Sequence, residues 1–266
     1  MKTAILRLDQ HAIRKLDPVA PHPMALRDIM SDAAMYHATV LPLKGLRIEG
    51  KNNYDAVREI IFQSLRDESL GGEPYNTLKG LAYELGEGRE QASPSFQCPY
   101  CLQDTEGLSF GSDEGKCIKC GGHLFLSDMI GFHLEMDENS APESVSTEYM
   151  TVHEVLLLFT GIRYFWERKK YNVLKNALFL KDGPLTLRGQ YSKLVIPIRN
   201  FFQFAKKQEV TIHVAGQEKT GAFVNHLEFI ARDAPDKSYI VPDNDYIRQE
   251  IQHRPQEGKN RLATPV

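Results

Sequence analysis

All four cysteines of this chain fall between Cys98 and Cys120, in the order Cys98-Pro-Tyr-Cys101, fifteen residues, then Cys117-Ile-Lys-Cys120-Gly121-Gly122. Two cysteines three positions apart form a turn that presents both thiolates to one side, and two such turns make a closed tetrahedral site for zinc. The opening Met1–Arg7 is too short and too soon charged for a signal peptide, and no apolar run reaches 18 residues. A cytoplasmic location without a membrane span is therefore expected. In that compartment this cysteine spacing points to metal, with a redox dithiol pair as the alternative. Residues 96–127 carry too few large apolar side chains to fold without such a staple, so they are read as a zinc ribbon holding one structural Zn2+ on Cys98, Cys101, Cys117 and Cys120.

The other 234 of the 266 residues can bury a sizeable core around that insert; 42% of the whole chain is apolar and 25% charged. The net charge of −3 conceals an uneven distribution. Residues 103–154 hold 11 acidic and 2 basic side chains, net −9, whereas residues 161–210 hold 11 basic and 3 acidic ones, net +8. The basic half suggests a polyanion partner, and a run such as Arg168-Lys169-Lys170 is equally the mark of a solvated helix face.

Along the chain, Ala4–Leu8 is a short apolar stretch, Pro18–Pro23 a turn, and Ala38–Ile48 a further apolar segment. Tyr54, Val57, Ile60, Ile61 and Leu65 recur at helical spacing and predict a helix over Asn53–Leu65. A loop at Leu70–Pro74 is followed by a short helix over Leu78–Leu85. Asp137–Ser146 reads as a polar linker and Thr147–Lys170 as a long, mostly buried helix. Glu154 lies inside its apolar density. Either Thr151-Val-His-Glu154 is a capping box at a helix start, or the helix begins earlier and the carboxylate needs a metal or a partner.

Ala177–Leu180 has the length of a buried strand, and Asp182-Gly183-Pro184 ends it. A carboxylate at a strand's carboxyl end is placed to hold a divalent cation, although an Asp-Gly turn explains the same residues. A helix face with Ile198, Phe201, Phe202 and Ala205 follows, then a strand over Val210–Ala215 that leads to Lys219 and His226. Lys219 could steady a phosphate and His226 could move a proton; singly, each is also an ordinary surface or core-edge residue. A short strand over Ser238–Val241, a helix over Asp243–Ile251 and a loose tail over 252–266 complete the chain.

Met150-Thr-Val-His-Glu154, Leu178-Phe-Leu-Lys-Asp182-Gly-Pro-Leu185, Gly216-Gln-Glu-Lys219-Thr-Gly-Ala-Phe-Val-Asn-His226 and Asp243-Asn-Asp-Tyr246-Ile247, in this order, resemble the bacterial, zinc-ribbon-containing branch of the NurA nuclease family. The resemblance spans roughly residues 78–251. It implies an α/β fold, an RNase H-like mixed sheet flanked by helices, split by the ribbon into residues 1–95 and 128–251. It also implies a homodimer with Mn2+- or Mg2+-dependent DNA nuclease activity, 5′ to 3′ on a strand and endonucleolytic on single strands, working with a HerA-like hexameric translocase in end processing or anti-phage defence.

Carried over, Glu154 and Asp182 are metal ligands, and Lys219 and His226 belong to the last motif. The family's opening Asp-Gly-Ser has no counterpart here. Asp9 is its substitute by position; otherwise the first ligand lies outside this chain, or the site is incomplete and the protein is an inactive zinc-ribbon adaptor that binds DNA or a motor. The basic stretch, with Arg163, Arg168, Lys169, Lys181, Arg188 and Lys193, is expected to track a DNA backbone with strongly salt-dependent affinity.

Overall fold

The computed structural model describes residues 2–6, 10–31, 34–38, 50–67, 72–85, 93–136, 143–185, 193–235 and 237–252. Asp9, Arg188, nearly all of the Ala38–Ile48 segment and residues 253–266 lie outside them. The chain divides into two units, Met1–Ala177 with Leu187–His213, and Leu178–Thr186 with Val214–Val266.

The first unit opens with β1 (Lys2–Leu6), α1 (Gln10–Ile13), α2 (Pro23–Ser31) and β2 (Ala34–Ala38). β1 and β2 pair antiparallel, Lys2 opposite Ala38 and Leu6 opposite Ala34. Next comes α3 (Asn53–Leu65), whose bounds match the helical periodicity. The Asn52 side chain accepts the Asp55 amide at 2.8 Å and so caps a donor the helix itself cannot satisfy. Val57, Ile61, Phe62 and Leu65 are buried on one side.

α4 (Glu73–Ala82) starts five residues before the predicted helix, inside the predicted loop. Gly72 takes a left-handed conformation, φ 64°, and Pro74 occupies the first turn, where its missing N–H costs nothing. The glycine and proline that suggested a loop are therefore the punctuation of a helix start.

Four short strands make the ribbon: β3 (Phe96–Gln97) pairs antiparallel with β4 (Asp104–Thr105), and β5 (Glu114–Lys116) with β6 (His123–Phe125). Two 3-10 turns, Leu126–Ile130 and Phe132–Glu135, lead to α5 (Glu143–Glu167). This helix takes up the end of the predicted linker. Because it begins at Glu143, Thr151 is mid-helix, its hydroxyl donating to the Thr147 carbonyl at 3.2 Å, and the capping-box account of Glu154 fails. Val152, Leu156, Phe159 and Ile162 continue α5's buried stripe. α5 packs on α4 through a buried hydroxyl pair, Thr77 Oγ1 to Thr160 Oγ1 at 2.7 Å. α6 (Tyr171–Asn176) and α7 (Val195–Lys207) complete the unit, with Ile198 and Ala205 of the expected α7 face buried.

The second unit contains β7 (Leu178–Asp182), most of β8 (His213–Gln217), α8 (Ala222–Ile230), α9 (Asn244–Tyr246) and a π-helical turn, Ile247–Ile251. β7 is not the buried strand expected: Leu178 and Leu180 are 63% and 52% exposed, while Lys181, the next residue, turns inward. β8 begins three residues later than predicted. Ser238–Val241 forms no strand, and Tyr239 and Val241 are largely exposed.

Helices with small sheets agree with the α/β expectation at a coarse level. The described residues form four two-stranded sheets, β1-β2, β3-β4, β5-β6 and β7-β8, and no single mixed sheet is seen among them. No helix among the described residues is long and apolar enough to cross a membrane.

The ribbon is bound to α3 through Arg58, which is 3% exposed. Its guanidinium donates to Asp128 at 3.0 and 2.7 Å, Asp55 at 2.9 Å, the Tyr100 hydroxyl at 2.9 Å and the His123 carbonyl at 3.0 Å. All five N–H groups are thus used. Burial works against the charge, the Asp128 carboxylate outweighs it, and the guanidinium's pKa rises. Removing Arg58 would leave Asp128 charged and buried, so Arg58→Ala is expected to cost about 3–5 kcal/mol in urea unfolding. Arg58→Lys should not restore it, because an ammonium cannot reproduce the two-pronged contact.

Candidate functional site

Each cysteine pair sits on a tight turn closed by backbone hydrogen bonds. The Cys98 amide donates to Gln103 O at 2.9 Å and the Leu102 amide to Cys98 O at 3.0 Å; the Cys117 amide donates to Gly122 O and the Gly121 amide to Cys117 O, both at 2.8 Å. The hairpins converge so that the four Sγ atoms lie within 4.8 Å of one another. Cys98 and Cys120 are 3.6 Å apart and Cys101 and Cys117 3.8 Å. A tetrahedral Zn2+ with Zn–S bonds of about 2.3 Å sets sulfurs about 3.8 Å apart, so the donor set fits a structural metal such as zinc. Among the described residues this is the one group of three or more cysteine, histidine or acidic ligands close enough to share an ion.

Glycines set the approach of the hairpins. A Cβ on Gly107 would lie 2.2 Å from the Lys116 carbonyl oxygen, one on Gly115 2.2 Å from that of Gly107, and one on Gly122 2.2 Å from the Tyr100 ring. The metal-free thiols differ. Burial pushes Cys98 up to about 12, whereas at Cys117 the amides of Cys120 and Lys119 outweigh burial and bring the thiol down to about 6.

The remaining predicted site residues divide between the two units. Glu154 is half-buried on α5 in the first, and it is not without partners. Asp182, Lys219 and His226 belong to the second. Asp182 ends β7 with its side chain 71% exposed, and Lys219 Nζ donates to its carboxylate at 2.9 Å. That hydrogen bond, with the charges of Lys219 and Lys181, holds the Asp182 carboxyl below its ordinary range. Gly183 bridges Gln217, its amide donating to the Gln217 carbonyl at 2.8 Å, and this joins the two motif segments beside Asp182. Gly183 has φ 89°, a backbone that suits glycine. His226 lies on α8 with Nε2 2.8 Å from the Tyr246 hydroxyl; Tyr246 is itself fixed because its amide donates to Asp243 Oδ1 at 2.8 Å.

Among the expected DNA-tracking residues, Arg168 is exposed and stacks over Tyr164, 3.8 Å from the ring centroid; Lys169 and Lys193 are also exposed. Arg163 is half-buried in ion pairs with Glu73 and, at 3.6 Å, Glu167. Lys181 is buried, its Nζ donating to the Asp182 carbonyl at 3.0 Å, so it is not presented to a passing strand.

Sequence reasoning missed the Arg58, Asp55, Tyr100 and Asp128 cluster that seats the ribbon. The signal was present: Arg58 stands four residues from both Tyr54 and Phe62, on an otherwise apolar helical face. No known family description, characterised protein or solved structure matches the chain.

One zinc per chain is expected by elemental analysis, and none in Cys117→Ser. Because each ligand thiol must give up its proton to bind, zinc affinity falls as pH is lowered. Metal held at pH 7 should therefore be released to a chromogenic chelator on acidification, and amide exchange should rise over residues 96–127 as it leaves.

Proposed function

We propose that the chain is a divalent-metal-dependent DNA nuclease of the NurA type, with a structural zinc ribbon. The observation that carries this reading is that three of its four NurA-like segments, those containing Asp182, Lys219 with His226, and Tyr246, fall within one unit of about 60 residues. There the Gly183–Gln217 bridge, the Lys219–Asp182 ion pair and the His226–Tyr246 hydrogen bond tie them together in pairs.

Asp182 suits a hard cation: it is exposed, ionised at neutral pH and carried on a strand's end. A full site needs further oxygens beside those of Asp182. The chemistry that Mn2+ or Mg2+ supplies when bound is an activated water and relief of charge on the departing oxygen. Lys219 supplies positive charge at the phosphate, and it would move from Asp182 to the substrate as the carboxylate takes up a cation. His226, hydrogen-bonded to Tyr246, is the proton-transfer candidate of this reading. Arg168, Lys169 and Lys193 provide exposed positive charge for the backbone. A homodimer acting with a HerA-like hexameric translocase, cutting 5′ to 3′ and within single strands, belongs to the same reading.

The second reading is a non-catalytic zinc-ribbon adaptor that binds DNA or a motor subunit. It is favoured by the nearest charged partner of Asp182 being a lysine, and by the absence of an acidic ligand cluster among the described residues.

Incubation with linear and single-stranded DNA plus Mn2+ separates the two. The nuclease degrades DNA only with metal, and Asp182→Ala lowers the rate by at least the roughly 10–100-fold that losing an outer-shell metal partner costs. Intact DNA with retained, salt-sensitive binding establishes the adaptor.

A further inference from the structure

The first unit contains a cavity of about 530 Å³ that shares only its rim residue Lys169 with the nuclease reading. It lies between α4, the end of α5, α6 and α7, and the volume falls within the about 300–1,000 Å³ of small-molecule sites. Its wall has two chemistries. The lining includes four aromatic rings, Phe159, Trp166, Tyr171 and Phe201. Trp166 lies 5.1 Å from the Tyr171 ring and 5.3 Å from Phe201, so these three form one connected surface. The polar lining is mostly basic, with Lys79, Arg163 and Lys169 beside Asn76 and one carboxylate, Glu167, which pairs with Arg163. Lys79 and Arg163 are braced by Asp113, Glu73 and Glu167, whereas Lys169 stands exposed at the rim.

An apolar metabolite would leave the cations unused, and a simple anion would leave the rings unused. A flat heteroaromatic ring joined to a phosphate uses both: the ring stacks on the aromatic side chains, and the phosphate meets the ammonium and guanidinium groups. Asn76 adds the paired donor and acceptor that read a base edge. We infer that this cavity is a binding site for an unpaired nucleotide, its base against Trp166 and Phe201 and its phosphate toward Lys169 and Arg163. The site is in the unit that does not contain Asp182, and it stands or falls independently of hydrolysis.

The molecule supplies its own probe, since Trp166 is its one tryptophan. Deoxyadenosine monophosphate titrated into the full chain, with excitation at the red edge of the indole band, should quench Trp166 saturably. Gly80 lines the cavity and a Cβ there meets nothing within 4 Å, so Gly80→Leu starts its side chain in open space at the cavity wall, with better helix propensity. This variant should keep the wild-type circular dichroism and melting temperature while weakening binding by at least about tenfold. Lys169, at φ 54°, tolerates replacement by asparagine; Lys169→Asn should weaken the monophosphate and leave deoxyadenosine unchanged. A 5′-phosphorylated oligothymidine in place of the mononucleotide separates a strand end from a free metabolite: competition with the monophosphate identifies the former, and its absence the latter.

The proposal is overturned by an absence of saturable quenching, by unchanged binding in Gly80→Leu, or by deoxyadenosine binding as tightly as its phosphate. It survives loss of all nuclease activity in Asp182→Ala and fails even in a fully active enzyme that shows no quench.

Discussion

The buried ion pair between Arg58 and Asp128 constrains the first unit more than any other contact. Both side chains are withdrawn from water, so neither charge is tolerable without the other, and the geometry that satisfies them is narrow. Asp128 belongs to the turn immediately after the ribbon and Arg58 to α3, seventy residues earlier. Their contact fixes where the ribbon's last strand meets the helix, and Tyr54 adds a second tie through Pro99 in the first cysteine turn at 2.9 Å. From α4, Lys79 reaches Asp113 and Tyr83 reaches the Ser112 carbonyl, both at 2.7 Å. A metal knuckle that could have hung from the surface as a separate module is instead a wall of the core.

The second unit follows a different economy of interactions. Its described residues bury little beyond Lys181 and Ile251, α8 buries no residue fully, and Leu178, Leu180, Leu227 and Phe229 are exposed. Directed polar contacts define its local shape: the Gly183–Gln217 bridge, the Asp182–Lys219 pair and the His226–Tyr246 bond. An exposed ion pair adds little to stability, so Asp182 beside Lys219 contributes little to holding the unit together. Replacing a lysine by a cation at such a carboxylate requires no desolvation of a buried group.

The sequence was most readable where one local force decides the outcome. Paired cysteines at metal spacing identified the ribbon because few other arrangements satisfy four thiols, and the period of Tyr54 to Leu65 identified α3 because that side must face a core. Reading failed where the same residue serves two grammars. Gly72 and Pro74 end a loop and begin a helix with equal propriety; at Thr151 and Glu154 the sequence left a cap and a mid-helix position both open, and the start of α5 at Glu143 decides for the second. β7 was located correctly but turned the wrong way: its leucines point outward and its lysine inward, an inversion set by tertiary contacts that periodicity does not encode. Arg58 stood out on its helix face, but three of its four partners, Tyr100, His123 and Asp128, come from the ribbon and the turn after it, which the sequence does not connect to α3. Of the candidate catalytic residues, neither the ion pair of Lys219 with Asp182 nor the bond from His226 to Tyr246 was legible in the sequence; both required coordinates.

The contact between Gly122 and the Tyr100 ring has a consequence for reading sequence variation. Gly122 lies in the second cysteine turn and Tyr100 in the first, and the same tyrosine's hydroxyl is shared by Asp55 and Arg58. A single methyl at position 122 would displace the ring, and the disturbance would surface as a loosened α3 more than sixty residues upstream. Alleles at this inconspicuous glycine would therefore be silenced or rescued by changes in a helix that never touches it, a form of epistasis that proximity in the chain would not betray.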